Sequence, residues 1–196
     1  MTPDVFGAIS VFVALLAYPP YLKSVLQKRT RPHVFSWVIW SLLAWIAFVI
    51  QVVAGAGPGA WSSGFSAFCC LVITVASFWH GEKSASRYDW LIFIAGLLAI
   101  PLWILTKDPT ASAILVTGIY ASGFYSTLVK TWHRPHEELT LTYNLNAIKQ
   151  ALSLLALKTV NIPTALYPAA LLFLNLVLVA EVAWRRRTIK SDMGPP

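Results

Sequence analysis

Long apolar stretches separated by brief polar breaks organise this chain. Apolar runs occupy residues 4–22, 33–54, 60–79, 89–106, 110–130, 137–157 and 162–184. Each is close to the ~20 residues that carry a helix across a hydrocarbon core about 30 Å thick. The breaks are Gln27-Lys28-Arg29-Thr30-Arg31-Pro32, Gly55-Ala56-Gly57-Pro58-Gly59, Gly81-Glu82-Lys83, Lys107-Asp108-Pro109, His133-Arg134-Pro135 and Asn161-Ile162-Pro163. All are rich in the turn-forming and charged residues that end helices. The sixth run is the least apolar, and it counts as spanning because the charge pattern loses its regularity without it. The pattern predicts an all-α polytopic membrane protein with seven transmembrane helices.

Composition narrows the class. The 196 residues are 57% apolar and only 12% charged, against about 25% charged in ordinary soluble domains. Seven spans use about 140 positions, so only short loops remain. That excludes a disordered chain, a disulfide scaffold and a membrane anchor carrying a soluble enzyme. Cys69 and Cys70 are adjacent within an apolar run, a spacing that makes neither a disulfide framework nor a metal motif. Met1-Thr2-Pro3-Asp4 lacks the basic n-region of a signal peptide, so the first run is expected to stay as a helix. No His-Glu-x-x-His, Gly-x-Ser-x-Gly or P-loop occurs, and an enzyme is not expected. A retinal protein is disfavoured too: resemblance to rhodopsins would put a Schiff-base lysine on helix seven, and the seventh run has none.

The net charge of +7 becomes informative once sorted by loop. It forms no basic helix face or aromatic-basic sheet, so nucleic acid is not an expected partner. With the N-terminus outside, the inner side holds Lys23, Lys28, Arg29, Arg31, Lys83, Arg87, Lys130, Arg134, Arg185, Arg186, Arg187 and Lys190. The outer side holds Lys107 and Lys158, and Lys149 alone falls within a span. Twelve against two is a positive-inside pattern and predicts N-out, C-in. Tryptophans 61, 79, 90, 103, 132 and 184 fall near span ends, as an interfacial belt does. The expected location is the plasma (inner) membrane of a bacterium, with the C-terminus cytoplasmic.

An internal repeat divides the chain. Tyr18-Pro19-Pro20-Tyr21-Leu22-Lys23 ends span one and Arg31-Pro32-His33 opens span two. Tyr125-Ser126-Thr127-Leu128-Val129-Lys130 ends span five, followed by Arg134-Pro135-His136. Span four, Trp90 to Leu105, carries no hydroxyl, amide or charge; Pro101 suggests a kink, and the span reads as a lipid-facing linker. The plan is a first three-helix bundle (1–79), a linker helix (80–108), a second three-helix bundle (109–184) and a basic cytoplasmic tail (185–196). A single linking crossing sets the two bundles in parallel, a recognised transporter plan with its site between the repeats near mid-membrane. With the Tyr18–Lys23 motif, this N-out three-one-three plan resembles the PQ-loop superfamily, which includes the SWEET sugar facilitators, lysosomal amino-acid exporters and the KDEL receptors. That resemblance covers nearly the whole chain. It implies a solute path whose Trp and Asn types correspond to Trp40 and Asn175.

Several intramembrane groups carry candidate chemistry. Thr142, Asn146, Lys149 and Ser153 follow a 4-3-4 spacing that places them within about 60° on one helix face, and Asn144 and Gln150 widen the stripe. An ammonium at a helix centre costs about 2.5–3.5 kcal/mol on insertion scales, so Lys149 should face protein or water. It is either the counter-charge for an anionic or zwitterionic substrate or a side chain snorkelling outward past Leu157. His33, Trp37, Trp40, Ala44 and Gln51 share a face of span two, where the tryptophans stack on a ligand or pack as a ridge. Ser63, Ser66, Cys70, Thr74 and Ser77 on span three wet a path or let helices approach closely. Gly7, Ser10, Ala14 and Ala17 on span one serve close approach. Pro19 and Pro20 are hinges or the helix end, as Tyr167-Pro168 is in span seven. Asn175 is a mid-span amide with a helix–helix hydrogen bond as its alternative role. Glu181 pairs with Arg185 at i+4. His33, His80, His133 and His136 lie at inner helix ends beside Glu137 and Glu138, without a metal-ligand set.

The function these residues predict is small-solute transport of the facilitator type, by alternating access between two bundles. Lys149, Asn146, Asn144, Asn175, Trp40, Tyr120 and Thr142 bind the solute, and Pro19 and Pro20 are hinges. The alternative is a membrane receptor or sensor of the same fold that binds without transporting. No cofactor or metal is expected. The expected partners are a small-molecule solute and the lipid bilayer, with a homo-oligomer compatible.

Overall fold

The computed structural model describes residues 2–28, 32, 34–81, 83, 87–133, 135 and 140–192. Arg29, Arg31, His33, Arg134, His136, Glu137 and Glu138, which carry part of the repeat and of the histidine cluster, lie outside the described residues. Among the described residues the chain is all-α, without a strand. In order, it forms α1 (Pro3–Leu26), α2 (Val34–Val53), a 3-10 turn (Gly57–Ala60), α3 (Trp61–His80) and α4 (Arg87–Leu97). These are followed by α5 (Ala99–Thr106), α6 (Pro109–His133), α7 (Thr140–Leu155) and α8 (Ile162–Asp192).

Among the described residues, four helical segments are long and apolar enough to cross a membrane: Pro3–Leu26, Val34–Val53, Gly57–His80 and Ile162–Thr188. The radial distribution of side chains agrees with that environment. Large apolar groups such as Phe12, Trp79, Leu105 and Phe173 are exposed, while Ser10, Gln51, Ser62, Ser77 and Thr164 are fully buried. In water the preference is the reverse.

Local chemistry explains most boundaries. α1 begins with Pro3 in its first turn and Asp4 beside the positive end of the helix dipole, and Lys23 sits in its last turn. It runs straight through Pro19 and Pro20 to Leu26, so the prolines do not end it. Lacking N–H groups, they cannot bond the carbonyls of Leu15 and Leu16 one turn earlier. The fourth apolar run is interrupted at Leu98, between α4 and α5. Pro101 cannot donate to the Leu97 carbonyl, which is where α4 stops. α6 opens at Pro109 behind Asp108, whose carboxylate accepts the Thr110 N–H at 2.8 Å. Thr110's hydroxyl and backbone N–H together hold the Asp108 carboxyl below its ordinary value. The sixth run yields α7 of 16 residues. α8 continues through the basic tail, giving 31 residues and a length of about 46 Å.

Helix packing has a regular order. α3 packs on both α1 and α2, and α8 packs on both α6 and α7. α1 also lies along α7, and α2 meets α6. α4 and α5 rest on α2 and α6, with Ala99 fully buried and its carbonyl accepting Ser112's hydroxyl at 2.8 Å. The apolar core sits in this seam: Ile39, Leu43, Ile46 and Ile50 of α2 against Val116 of α6 and Leu171 of α8.

At the end where α1 starts, the Gly57–Ala60 turn is wedged between α1 and α7. A Cβ on Gly7 would stand 2.8 Å from Pro58 Cβ, so only glycine admits this approach. Ser153 Oγ donates to the Gly59 carbonyl at 2.5 Å, and the Lys158 N–H donates to the Ala56 carbonyl at 3.0 Å. These contacts seal that end.

Candidate functional site

Between the α1–α3 and α6–α8 groups lies a cavity of about 380 Å³, lined by residues of α1, α2, α3, α6, α7 and α8. It runs from Ser63, Ser66 and Tyr167 toward Tyr21, Trp37, Thr142 and Tyr143, away from the sealed end.

Lys149 occupies its polar side. The side chain is only 3% exposed, so it does not snorkel past Leu157. Nζ donates to Ser66 Oγ at 2.9 Å and lies 5.6 Å from the centre of the Tyr18 ring. Ser66 directs its own hydrogen to the Ser62 carbonyl at 2.7 Å, so toward Lys149 it can only accept. Among the described residues, no carboxylate lines the cavity. A buried cation is stabilised chiefly by an opposite charge; among the described residues it has one hydroxyl and one ring face.

Neutral polar groups surround this point. Ser63 Oγ and Gln150 Oε1 line the cavity, are buried, and have no hydrogen-bond partner among the described residues. An unpaired buried polar atom costs about 1–3 kcal/mol, which a bound polar solute would recover. Asn146 donates to the Thr142 carbonyl at 3.1 Å, and Asn175 to the Leu171 carbonyl at 2.6 Å. Each amide thus spends one N–H on its own helix and retains a second donor.

The rest of the wall is aromatic and arises in two groups. Tyr21 of α1 meets Trp37 of α2 with ring centres 5.1 Å apart, and Trp37 meets Trp40 at 5.2 Å. On the other side Tyr120 of α6 contacts Tyr167 of α8 at 5.7 Å and Phe124 at 6.4 Å, and Phe124 contacts Tyr143 of α7 at 6.2 Å. These separations are those of favourable ring pairs.

Of the solute-binding residues expected from sequence, Lys149, Asn146, Asn175, Trp40, Tyr120 and Thr142 line this one cavity. Asn144 stands apart: it is exposed and, five residues from Lys149, lies about 140° around the helix. Pro19 and Pro20 are exposed inside α1, next to the cavity residues Tyr18 and Tyr21. The small polar strip of α3 divides. Ser63, Ser66 and Cys70 line the cavity, whereas Thr74 bonds the Trp37 carbonyl at 2.9 Å and Ser77 bonds Thr74 of its own helix. Glu181 takes the Thr131 hydroxyl at 2.6 Å, while Arg185 donates to the Trp132 carbonyl and stacks 4.9 Å from its ring. Both side chains therefore tie α8 to α6 rather than to each other. Sequence reasoning passed over Tyr18, Tyr143 and Phe124; their only signal is an aromatic position in the same half of the span as Tyr21 and Trp37.

Compared with protein-family models, curated proteins and solved structures, the chain matches none.

Proposed function

We propose that the protein is a facilitator-type transporter of a small polar solute that is anionic or zwitterionic. The carrying observation is Lys149: a cation buried at the cavity wall with a hydroxyl and a ring as partners and, among the described residues, no carboxylate lining the cavity. A solute carboxylate supplies the missing counter-charge, which is the usual role of an ionisable residue retained inside a membrane protein.

Seven crossings, N-out and C-in, arranged as two parallel three-helix units around a linker, form the proposed framework in a bacterial plasma membrane. Its support is the packing order. The third helix of each unit sits between the first and second, α3 between α1 and α2 and α8 between α6 and α7, and each first helix packs on the other unit's second. Kinship with the PQ-loop superfamily is part of the same proposal and rests on the Tyr18–Lys23 motif and this plan. In that orientation the Gly57–Ala60 turn closes the outer end, and the units rock to open it.

A receptor of the same fold has one observation in its favour. α8 runs unbroken from the cavity residues Tyr167 and Asn175 to Arg185 and Arg186, which are bonded to the Trp132 and Pro135 carbonyls. Flux separates the two readings. The purified chain is screened by thermal shift against sugars, amino acids, organic acids and nucleosides, and each solute that raises Tm is tested for uptake into proteoliposomes. The expected result is that anionic or zwitterionic solutes shift Tm and enter faster than into protein-free vesicles, and that Lys149→Gln removes both effects. Binding without flux identifies the receptor. Hits that Lys149→Gln leaves unchanged refute recognition of charge.

A further inference from the structure

Building on the assignment of the cavity as a solute site, we propose that its ligand is an aromatic monocarboxylate, with the carboxylate on Lys149 and the flat ring between the two aromatic walls. The inference follows from how the wall chemistry is distributed.

Of the buried polar atoms without a partner among the described residues, two belong to residues that line the cavity with Lys149: Ser63 Oγ and Gln150 Oε1. Lys149 Nζ uses one hydrogen on Ser66. Ser63 stands one helical turn before Ser66, and Gln150 is the next residue after Lys149 in sequence. Ser63 and Gln150 are 6% and 3% exposed, and Ser63 Oγ and Gln150 Oε1 are unpartnered. Nζ has hydrogens left for a carboxylate, and the Ser63 hydroxyl is a further donor in the same cavity wall.

Beyond that point the cavity offers rings. Trp37 and Trp40 come from α2, and Tyr120 and Phe124 from α6. A planar apolar body matches such walls, because stacked and edge-to-face pairs recover more than apolar burial alone. A sugar presents hydroxyls in every direction and would leave most of them facing rings, where each unpaired hydroxyl is penalised. An aromatic box alone would also suit a quaternary ammonium, but Lys149 inside it repels a cation. A dicarboxylate brings a second charge, for which the cavity holds no second cation among the described residues. One charge at one end of a flat apolar body is what remains, and about 380 Å³ is within the range of small-molecule sites.

The test is calorimetric titration of the full chain in lipid nanodiscs with benzoate, acetate, benzamide and glucose. Benzoate should bind, with acetate (charge, no ring) and benzamide (ring, no charge) each at least tenfold weaker and glucose undetected. Lys149→Gln should weaken benzoate at least tenfold and leave benzamide unchanged. Lys149→Arg, which keeps the charge, should retain benzoate binding and shows that the site still folds. Tyr120→Leu should weaken benzoate and benzamide alike. Acetate binding as tightly as benzoate, or glucose binding where benzoate does not, overturns the aromatic monocarboxylate while leaving solute transport standing. Benzoate binding that obeys these rules, with no flux of benzoate into proteoliposomes, leaves the ligand class standing and overturns transport.

Discussion

Gly59 and Gly118 show how the same residue type answers to opposite physics in one chain. A Cβ at Gly59 would lie 2.5 Å from Leu157 Cδ2 and 2.9 Å from the Ser153 carbonyl oxygen, and the second of these is backbone that cannot swing aside. A Cβ at Gly118 meets nothing within 4 Å. Gly59→Ala should therefore cost about 1–3 kcal/mol by overpacking, lowering Tm by a few degrees to about ten. Gly118→Ala, in the middle of α6, should raise stability by about 0.5–1 kcal/mol through lost backbone entropy. Thermal unfolding of the two detergent-purified variants checks both signs, and equal shifts would show that the wedge at Gly59 is not tight. Legibility at this scale follows the same divide between local and distant physics. Lys149 stood out in sequence because a lone charge inside an apolar run is a local signal. Its partner Ser66 did not, being 83 residues away in a run of small polar residues where nothing local separates cavity from contact. Asn144 was misplaced because a polar stripe read along a helix has width, and this amide lies beyond its edge.

Helices were legible where the apolar pattern was continuous, and they departed from it where proline or polarity intervened. The fourth run became α4 and α5 because Pro101 leaves the Leu97 carbonyl without its N–H. The double proline in α1 did the opposite, since the helix continues past it to Leu26. α1 packs on both α3 and α7, and the helix stays continuous where two hydrogen bonds are missing. That makes residues 15–20 the softest stretch of α1, and they adjoin Tyr18 and Tyr21 at the cavity. Replacing both prolines (Pro19→Ala with Pro20→Ala) should restore the bonds to Leu15 and Leu16, raising Tm by several degrees while slowing solute flux at least fivefold. Proteoliposome uptake and thermal unfolding measured on the same preparation test this. A stiffened helix with unchanged flux would end the hinge assignment.

At the scale of the whole molecule, the apolar pattern marks individual helices but cannot say which helix packs on which. That information lies in tertiary contacts with no local periodicity. At the sealed end, the contact is the Gly57–Ala60 turn against the end of α7 and the following loop, through Ser153 to Gly59 and Lys158 to Ala56. It involves two hydrogen bonds and glycine-dependent packing, so its separation is a small part of the total stability of a domain, typically about 5–15 kcal/mol. Rocking at this end is thus compatible with a folded protein, and a covalent clamp there should stop it. Ala56→Cys with Lys158→Cys, in a chain with Cys69 and Cys70 changed to serine, brings two thiols to positions whose backbones are joined by a 3.0 Å hydrogen bond. Oxidation should abolish flux while leaving binding from the unsealed side within threefold of the reduced protein, and reductant should restore flux. Because Cys70 lines the cavity, the flux of the serine background alone is the reference for both states. Flux that persists through a complete cross-link would mean that solute does not pass this end, because a clamp here blocks only a path that opens here.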